Sequence, residues 1–322
     1  MAHFGLFCGG FSSEFEISML SANTIQTHFP KEHTIIQIVV KEEGWKAVEG
    51  KEEYHFSLDT ATYHKDGKEV KIDAGLIYVH GNPGENGKIQ AYLDMKGIPY
   101  LNSSALASEL SFDKWYCNQF LKNFGIPVAK SLFLRSRNEF SNEQIISELG
   151  LPCFVKPSDS GSSFGISKVN KPEELSAALD KAFEEGKTIV IESFLKGTEV
   201  TCGVYRKKDG AHALPLTEIA TDNDFFDYEA KYLGQSQEIT PARIPDEIRN
   251  KVWETAKYCY ELLQLKSISR IDFMVVNDVP HVIEVNTTPG FSAASLVPQM
   301  LACEGTTIED FWRDIIAVEL GK

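Results

Sequence analysis

The chain has no hydrophobic run approaching the roughly 20 residues of a membrane-spanning helix. Residues 1 to 10 carry neither the basic start nor the long apolar stretch of a secretory leader. Both absences point to the cytoplasm. Basic residues are in deficit: 32 Lys and Arg against 46 Asp and Glu leave a formal charge of −14. That sign repels nucleic-acid backbones and anionic lipid. Neither is expected as a partner, and an anionic small substrate would need a local basic site. The six cysteines, Cys8, Cys117, Cys153, Cys202, Cys259 and Cys303, are scattered, with no C-x-x-C pair and no close His or Cys partner. This argues against zinc and for buried, reduced thiols. Internal repeats and low-complexity tracts are also missing. So are G-x-x-x-x-G-K-[ST] and G-x-G-x-x-G, which removes P-loop and dinucleotide-fingerprint readings.

What is present is a globular composition, 43% hydrophobic and 24% charged, on 322 residues. That length is too great for one ordinary core and points to two or three domains. Residues 3 to 8 read as a strand that stops at Gly9-Gly10, with a helical pattern from 16 to 28. Apolar runs at 34 to 40 and 74 to 80 complete a small parallel sheet with crossover helices. After a break near 99 to 104, a helix over 113 to 124 ends at Gly125-Ile126-Pro127. Strands are expected at 129 to 134, 153 to 156, 166 to 169 and 188 to 192, with helices at 143 to 149 and 172 to 183, giving an α+β module. More strands follow Glu199, then an aperiodic aromatic stretch over 221 to 237, then a helix over 246 to 263. Loops that long are usually lids or disordered, and Phe225, Phe226, Tyr228 and Tyr232 favour a lid.

Two segments carry chemistry. The first, Phe154-Val155-Lys156-Pro157-Ser158-Asp159-Ser160-Gly161-Ser162-Ser163-Phe164-Gly165-Ile166, runs from a strand through glycine and small hydroxyl residues into another strand. Such a loop clusters N–H groups and hydroxyls around a phosphate, with the Lys156 charge beside it. An ordinary hairpin loop fits this segment alone equally well. The second is Ser269-Arg270-Ile271-Asp272-Phe273-Met274-Val275 followed by His281-Val282-Ile283-Glu284-Val285-Asn286-Thr287-Thr288-Pro289-Gly290. As two arms of a hairpin they put Arg270 and Asp272 on one face of the first arm and Glu284 and Asn286 on one face of the second, with Ile271, Phe273, Ile283 and Val285 pointing away. For the polar sets to face together, opposed residue numbers must sum to an even number, which requires a three- or five-residue turn or a bulge. Two carboxylates beside an amide oxygen repel unless a cation lies between them, and magnesium fits an all-oxygen set. The plainer reading is a solvated face with an Arg270–Asp272 pair. The metal is favoured because the strand leads into Thr-Thr-Pro-Gly, whose N–H groups are placed to donate to a developing oxyanion.

These residues resemble the D-alanine–D-alanine ligases, which have the ATP-grasp fold. The likeness spans nearly the whole chain in several ordered motifs: Gly9-Gly10-Phe11-Ser12-Ser13-Glu14-Phe15-Glu16-Ile17-Ser18, His80-Gly81-Asn82-Pro83-Gly84-Glu85-Asn86-Gly87, residues 156 to 165, Tyr228-Glu229-Ala230-Lys231-Tyr232, Arg270-Ile271-Asp272, and residues 284 to 290 with Ser295-Leu296. The resemblance implies an α/β (α+β) ATP-grasp protein in three parts. A Rossmann-like parallel-sheet domain covers 1–101, a central module 102–187, and a C-terminal catalytic module with the lid 188–322, the last two clasping ATP. It implies an enzyme that forms D-alanyl-D-alanine for peptidoglycan synthesis through a D-alanyl phosphate. D-Alanine is both substrates, ATP the co-substrate, and two Mg2+ ions, replaceable by Mn2+, the cofactors; a homodimer follows by family analogy.

The resemblance also assigns roles. Lys114 and Lys156 hold ATP phosphates beside Ser163, and the lid residue Lys231 reaches the γ-phosphate. Glu192, Ser193, Phe194 and Leu195 form the adenine hinge, with Glu199 on the ribose. Asp272, Glu284 and Asn286 hold metal. Glu14 anchors the first ammonium, tied through Ser162 to Tyr232, with His80 near the same substrate. Arg270 and the Gly290 N–H stabilise the tetrahedral intermediate, and Ser295 with Leu296 bind the second carboxylate. Taken singly, His80 reads as a turn histidine, Glu14 as an acid at a helix N-terminus and Tyr232 as packing; the family reverses each. The sequence departs from the family pattern at Ser193, Phe226 and Ala294, none in the phosphate or metal set. Sibling ligases that use D-lactate or D-serine are the nearest rival, and a nucleotide-binding regulator without turnover the next. Tyr232 favours D-alanine over D-lactate. The intact lysines, acids and arginine favour an enzyme.

Overall fold

Apolar runs near the N-terminus pair into a sheet in this computed structural model, which describes residues 1–161, 165–221 and 236–321. Strand β1 (His3–Gly9) leads into helix α1 (Phe15–Thr27), which returns the chain to β2 (Thr34–Val40), parallel to β1. An antiparallel meander follows: β3 (Lys46–Glu49), β4 (Glu52–Ser57), β5 (Thr62–Lys65) and β6 (Lys68–Lys71). Then β7 (Ala74–Ile77) pairs with β1, again parallel, giving the order β6-β5-β4-β3-β2-β1-β7. The expected parallel sheet is thus present as β2-β1-β7, extended by four antiparallel strands whose short, charged sequences carried little strand signal.

Strand β1 is buried on both faces, which is why it reads as a continuous apolar run. Phe4, Leu6 and Cys8 pack with Ala22 and Ile25 of α1. Phe7 packs on the other side with Ile89 and Leu93 of α2 (Lys88–Lys96). The parallel arrangement brings the loops after β1 and β7 to one end of the sheet. There Gly10 has φ +111°, and a Cβ on it would lie 2.6 Å from Val79 Cγ1. Only glycine fits.

Helices α3 (Ala105–Phe112) and α4 (Lys114–Asn123) come next. A four-stranded antiparallel sheet follows, built from β8 (Ser131–Leu134), β9 (Cys153–Pro157), β10 (Ser167–Val169) and β11 (Ile189–Ser193) in the order β10-β9-β11-β8. Helices α5 (Asn142–Leu149) and α6 (Leu175–Glu185) cover one face, with Ile145, Leu175 and Leu179 against Cys153, Val155, Ile189 and Ile191. Alternation turns Phe154 and Lys156 the other way. Helix α5 starts on a capping box of Ser141 and Gln144. The expected boundary at residue 187 falls one strand early, because β11 pairs with both β9 and β8.

The third sheet has β12 (Thr198–Lys207), β13 (Gly210–Ala213), β14 (Thr217–Thr221), β15 (Ser236–Ile239), β16 (Ile268–Val276) and β17 (Val279–Asn286). Its order is β15-β14-β12-β16-β17, with β13 on β12. Strands β14 and β15 pair directly, Thr221 opposite Ser236; the lid expected between them, Phe226 included, lies outside the described residues. Helix α7 (Asp246–Leu262) packs on this sheet through Val252, Ala256 and Tyr260. Ala107 of α3 and Cys117 and Leu121 of α4 join the same core. Residues 105–123, assigned from sequence to the central module, therefore pack with the C-terminal sheet. Of the cysteines, Cys303 is exposed and the other five are buried.

Helices α8 (Leu296–Glu304) and α9 (Ile308–Leu320) return to the N-terminal sheet. Phe291, Phe311 and Trp312 meet Tyr78 from that sheet's edge and Tyr205 from β12 in one buried cluster. The Trp312 ring lies 6.0 Å from Tyr78 and 5.2 Å from Phe291, centroid to centroid. This aromatic joint fixes the N-terminal sheet against the catalytic one. Trp312→Ala should lower the unfolding free energy by about 3–5 kcal/mol, read as a fall in the denaturant midpoint; an unchanged midpoint would show that the joint does not hold the two parts together.

Candidate active site

The β16–β17 hairpin turns through Asn277 and Asp278, with φ of +48° and +63°, between the paired Val276 and Val279. A two-residue turn gives opposed numbers an odd sum, the wrong parity for a shared polar face. A bulge between Asp272 and Phe273 corrects it: Phe273 pairs with Val282, but Asp272 pairs with Glu284 and Arg270 with Asn286. Ile283 is the inserted residue. It was expected to face the core; instead Val282 and Val285 do so, and Ile283 lines the cleft.

The bulge gathers the acids on the cleft face. Arg270 donates to Asp272 through Nε and a terminal nitrogen, each at 2.8 Å. Asn286 Nδ2 donates to Asp272 Oδ2 at 3.1 Å, and the Thr201 hydroxyl, from the opposite neighbour strand, donates to Asp272 Oδ1. Burial works against the Arg270 charge, but Asp272, Glu284 and Glu85 outweigh it and raise its pKa. Among the described residues no three His, Cys, Asp or Glu side chains form a metal cluster. The set is two opposed carboxylates and an amide, all hard oxygen donors, which suits magnesium completed by water and phosphate oxygens.

Across the cleft, Lys156 Nζ lies 2.7 Å from Glu192 Oε2, both side chains about 7% exposed. Glu192 Oε1 accepts from Asn118 at 3.0 Å. Lys114, at the first turn of α4, donates to the Ser160 carbonyl at 2.5 Å. Two ammonium groups thus flank the Gly/Ser loop. Phe154 and Phe194, 6.1 Å apart at 40°, line the same wall. Glu14, at the N-terminus of α1, reaches this loop from the third side: a Cβ on Gly161 would lie 2.7 Å from Glu14 Oε2. Ser295 is the N-cap of α8, so the first N–H groups of that helix, beginning with Leu296, present an anion-favouring end to the cleft. Ser295 Oγ meets the hydroxyl of Ser292 at 2.8 Å, and Gly290 lies beside it.

The cleft encloses about 850 Å³ and is lined by every site residue proposed from sequence that the structure describes. Ser162, Ser163, Lys231 and Tyr232 lie outside the described residues. Three further residues were given no role from sequence. Glu85 is buried in the cleft and accepts the Gly81 N–H at 2.8 Å. Burial raises its pKa first, and the nearby Glu14 carboxylate adds to it. Thr201 and Asn118 act only through strand and helix contacts that no local pattern reveals. Glu85 alone had a signal, the acid in the His80-Gly81-Asn82-Pro83-Gly84-Glu85 run.

Models of two known domains match the chain: "D-ala D-ala ligase N-terminus" over residues 3–103 and "D-ala D-ala ligase C-terminus" over 120–317. A D-alanine–D-alanine ligase of Flavobacterium johnsoniae is 42% identical, covering 99% of this chain and 100% of the relative. Among solved structures, a D-Ala:D-Ser ligase from Enterococcus faecalis matches with TM-score 0.88 at 28% identity, covering 99% of each chain. A D-alanine–D-alanine ligase from Bacillus anthracis complexed with ATP matches with TM-score 0.80 at 28% identity, covering 100% of this chain and 98% of that one.

His80 makes the electrostatics testable. Burial pushes its pKa down to about 4, opposed by a hydrogen bond to the Thr288 backbone and helped by the Arg270 charge. Between about pH 6.5 and 4 the unfolded ring takes up a proton that the folded ring refuses. Stability should therefore fall as pH drops through that window, by at most about 3 kcal/mol. The loss should be smaller in His80→Asn; equal slopes in the two proteins would clear the histidine of this role.

Proposed function

The chain belongs to the D-alanine–D-alanine ligase family, and we propose that its central cleft is where it joins two D-alanine molecules through a D-alanyl phosphate. The protein is an ATP-dependent ligase with the ATP-grasp fold. The observation that carries the site assignment is convergence. Lys114 and Lys156 on one wall, Asp272, Glu284 and Asn286 on the other, and Glu14, Arg270 and Gly290 between them share a single cleft.

In the first step an oxygen of the D-alanine carboxylate attacks the γ-phosphorus of ATP, and the bond to the ADP oxygen breaks. Lys114 and Lys156 hold and neutralise the phosphates, while Glu14 fixes the ammonium of the attacking amino acid. Asp272, Glu284 and Asn286 would hold the magnesium ions, which supply charge neutralisation at the transferring phosphoryl group. In the second step the amine of the other D-alanine attacks the acyl carbon, loses a proton, and inorganic phosphate leaves. Arg270 and the Gly290 N–H bear on the oxyanion of that tetrahedral stage. The Ser295 end of α8 receives the incoming carboxylate. An acyl phosphate must be kept from water, the role given to Lys231 and Tyr232 on sequence grounds, with Ser162 linking Tyr232 to Glu14 and Ser163 beside the phosphates. Phe194 and Leu195 with Glu192, Ser193 and Glu199 are assigned to the nucleoside.

Among the described residues no helix is long and apolar enough to cross a membrane. A cytoplasmic location, a homodimer and a place in cell-wall precursor synthesis are carried over from the family. D-Serine as second substrate has one observation in its favour, the match of the whole fold to a D-Ala:D-Ser ligase; the 42% identity to a D-alanine–D-alanine ligase over the full chain favours D-alanine.

Purified protein with ATP and magnesium should release phosphate only when D-alanine is added, and mass analysis with D-alanine, D-serine and D-lactate offered together should find D-alanyl-D-alanine dominant. Phosphate release at the same rate without D-alanine would sink the reading. Arg270→Ala should cut dipeptide turnover by about 10²-fold or more, and a near-normal rate would remove Arg270 from the site.

A further inference from the structure

We propose that Ser21, which neither step of the reaction uses, is a positioning residue that holds Phe291, and with it the adjoining Gly290 N–H, in register with α1. The inference rests on the proposed oxyanion role of Gly290. Ser21 is fully buried near the middle of α1. Its Oγ accepts the backbone N–H of Phe291 at 3.1 Å, a contact between residues 270 apart in sequence, and lies 3.4 Å from His80 Nε2.

A neutral imidazole has one N–H and one acceptor nitrogen. Which way the Ser21–His80 contact runs follows the imidazole tautomer, while the same Ser21 oxygen receives the Phe291 N–H. Phe291 directly follows Gly290, so the serine holds the end of the segment that presents the donor.

Helical spacing explains why α1 carries the grip. Glu14, Ser18 and Ser21 follow the i, i+4, i+7 pattern of one helix face. Ser18 Oγ accepts the Gly9 N–H at 2.7 Å and donates to the Tyr78 carbonyl at 2.5 Å, which locks α1 to the ends of β1 and β7. One rigid rod therefore carries the carboxylate assigned to the first ammonium and, two turns on, the hydroxyl that fixes the loop assigned to the oxyanion. The separation of the two is set by helix geometry rather than by flexible loops.

The test compares Ser21→Ala and Ser21→Thr with wild type, using ATP labelled with 18O in the β,γ bridge. Scrambling of that label into non-bridging positions reports acyl phosphate that reverts, and dipeptide reports acyl phosphate that goes forward. If Ser21 positions the second-step donor, Ser21→Ala lowers dipeptide kcat between about ten- and a hundredfold, keeps the KM for ATP within about twofold, and raises scrambling per dipeptide; Ser21→Thr, which keeps the hydroxyl, moves both values back toward wild type. An unchanged ratio of scrambling to dipeptide in Ser21→Ala overturns the proposal, whatever happens to total activity, because a general loss of folded enzyme scales both events equally. Failure of the underlying reading looks different: wild type would make no dipeptide at all.

Discussion

Two carboxylates opposed on one sheet face cost free energy unless positive charge lies between them, and the active cleft is arranged around that cost. Asp272 and Glu284 are direct cross-strand partners. Arg270 offsets part of the repulsion with a two-pronged grip on Asp272, and Thr201 and Asn286 donate to the same group. On the proposed function, a divalent cation would supply what these donors leave. The acids are together only because Ile283 is inserted into β17; without that bulge Asp272 would oppose residue 283 and the polar sets would part to opposite faces.

The hairpin also shows what the sequence can and cannot say. Alternation alone establishes that Arg270, Asp272, Glu284 and Asn286 could share a face, and parity demands a bulge or an odd-length turn. Nothing local says which. In the structure Asn277 and Asp278, both at positive φ, make a two-residue turn, so the burden falls on the bulge, and its site depends on Val282 rather than Ile283 filling the core beside Val285. The same limit explains the module boundaries. Strand β11 was legible as a strand, but its partners β9 and β8 lie far away in sequence, so its membership of the central sheet was not. The β3 to β6 meander, with runs such as Lys-Glu-Val-Lys, offers no apolar run to read and was missed. The proposed phosphate loop, the Glu14 segment and the 284–290 run could be singled out from sequence because each packs its polar residues into a consecutive stretch. Thr201, Asn118 and Ser21 act across strand and helix packing and left no mark.

The N-terminal and catalytic sheets meet through one aromatic cluster. Tyr78, at the end of the parallel strands, and Tyr205, on the catalytic sheet, share a cluster with Phe291, Phe311 and Trp312. Phe291 directly follows Gly290, so the same packing that joins the modules also borders the proposed oxyanion donor. Burial of this kind suits catalysis, since a group that must be held to a fraction of an ångström is best supported by side chains whose own rotamers are locked.

The opposite wall follows a different logic. Lys156 and Glu192 form an ion pair that is almost wholly buried, and Asn118 completes Glu192. Removing both charges from water is costly, and their attraction offsets much of that without guaranteeing a net gain in stability. The arrangement makes better sense for binding than for folding. A lysine fixed by a buried carboxylate is already stripped of water and aimed before any phosphate arrives, so less ordering remains to be done on binding. Each ammonium has three donors, and Glu192 with Ser160 occupies one on Lys156 and one on Lys114. The remaining donors can meet phosphate oxygens without breaking what holds the lysines in place. On the proposed function, a chain carrying a net charge of −14 would bind a polyanion through two pre-aimed cations and the opposed acids that would hold magnesium, while its overall field keeps other anions at a distance.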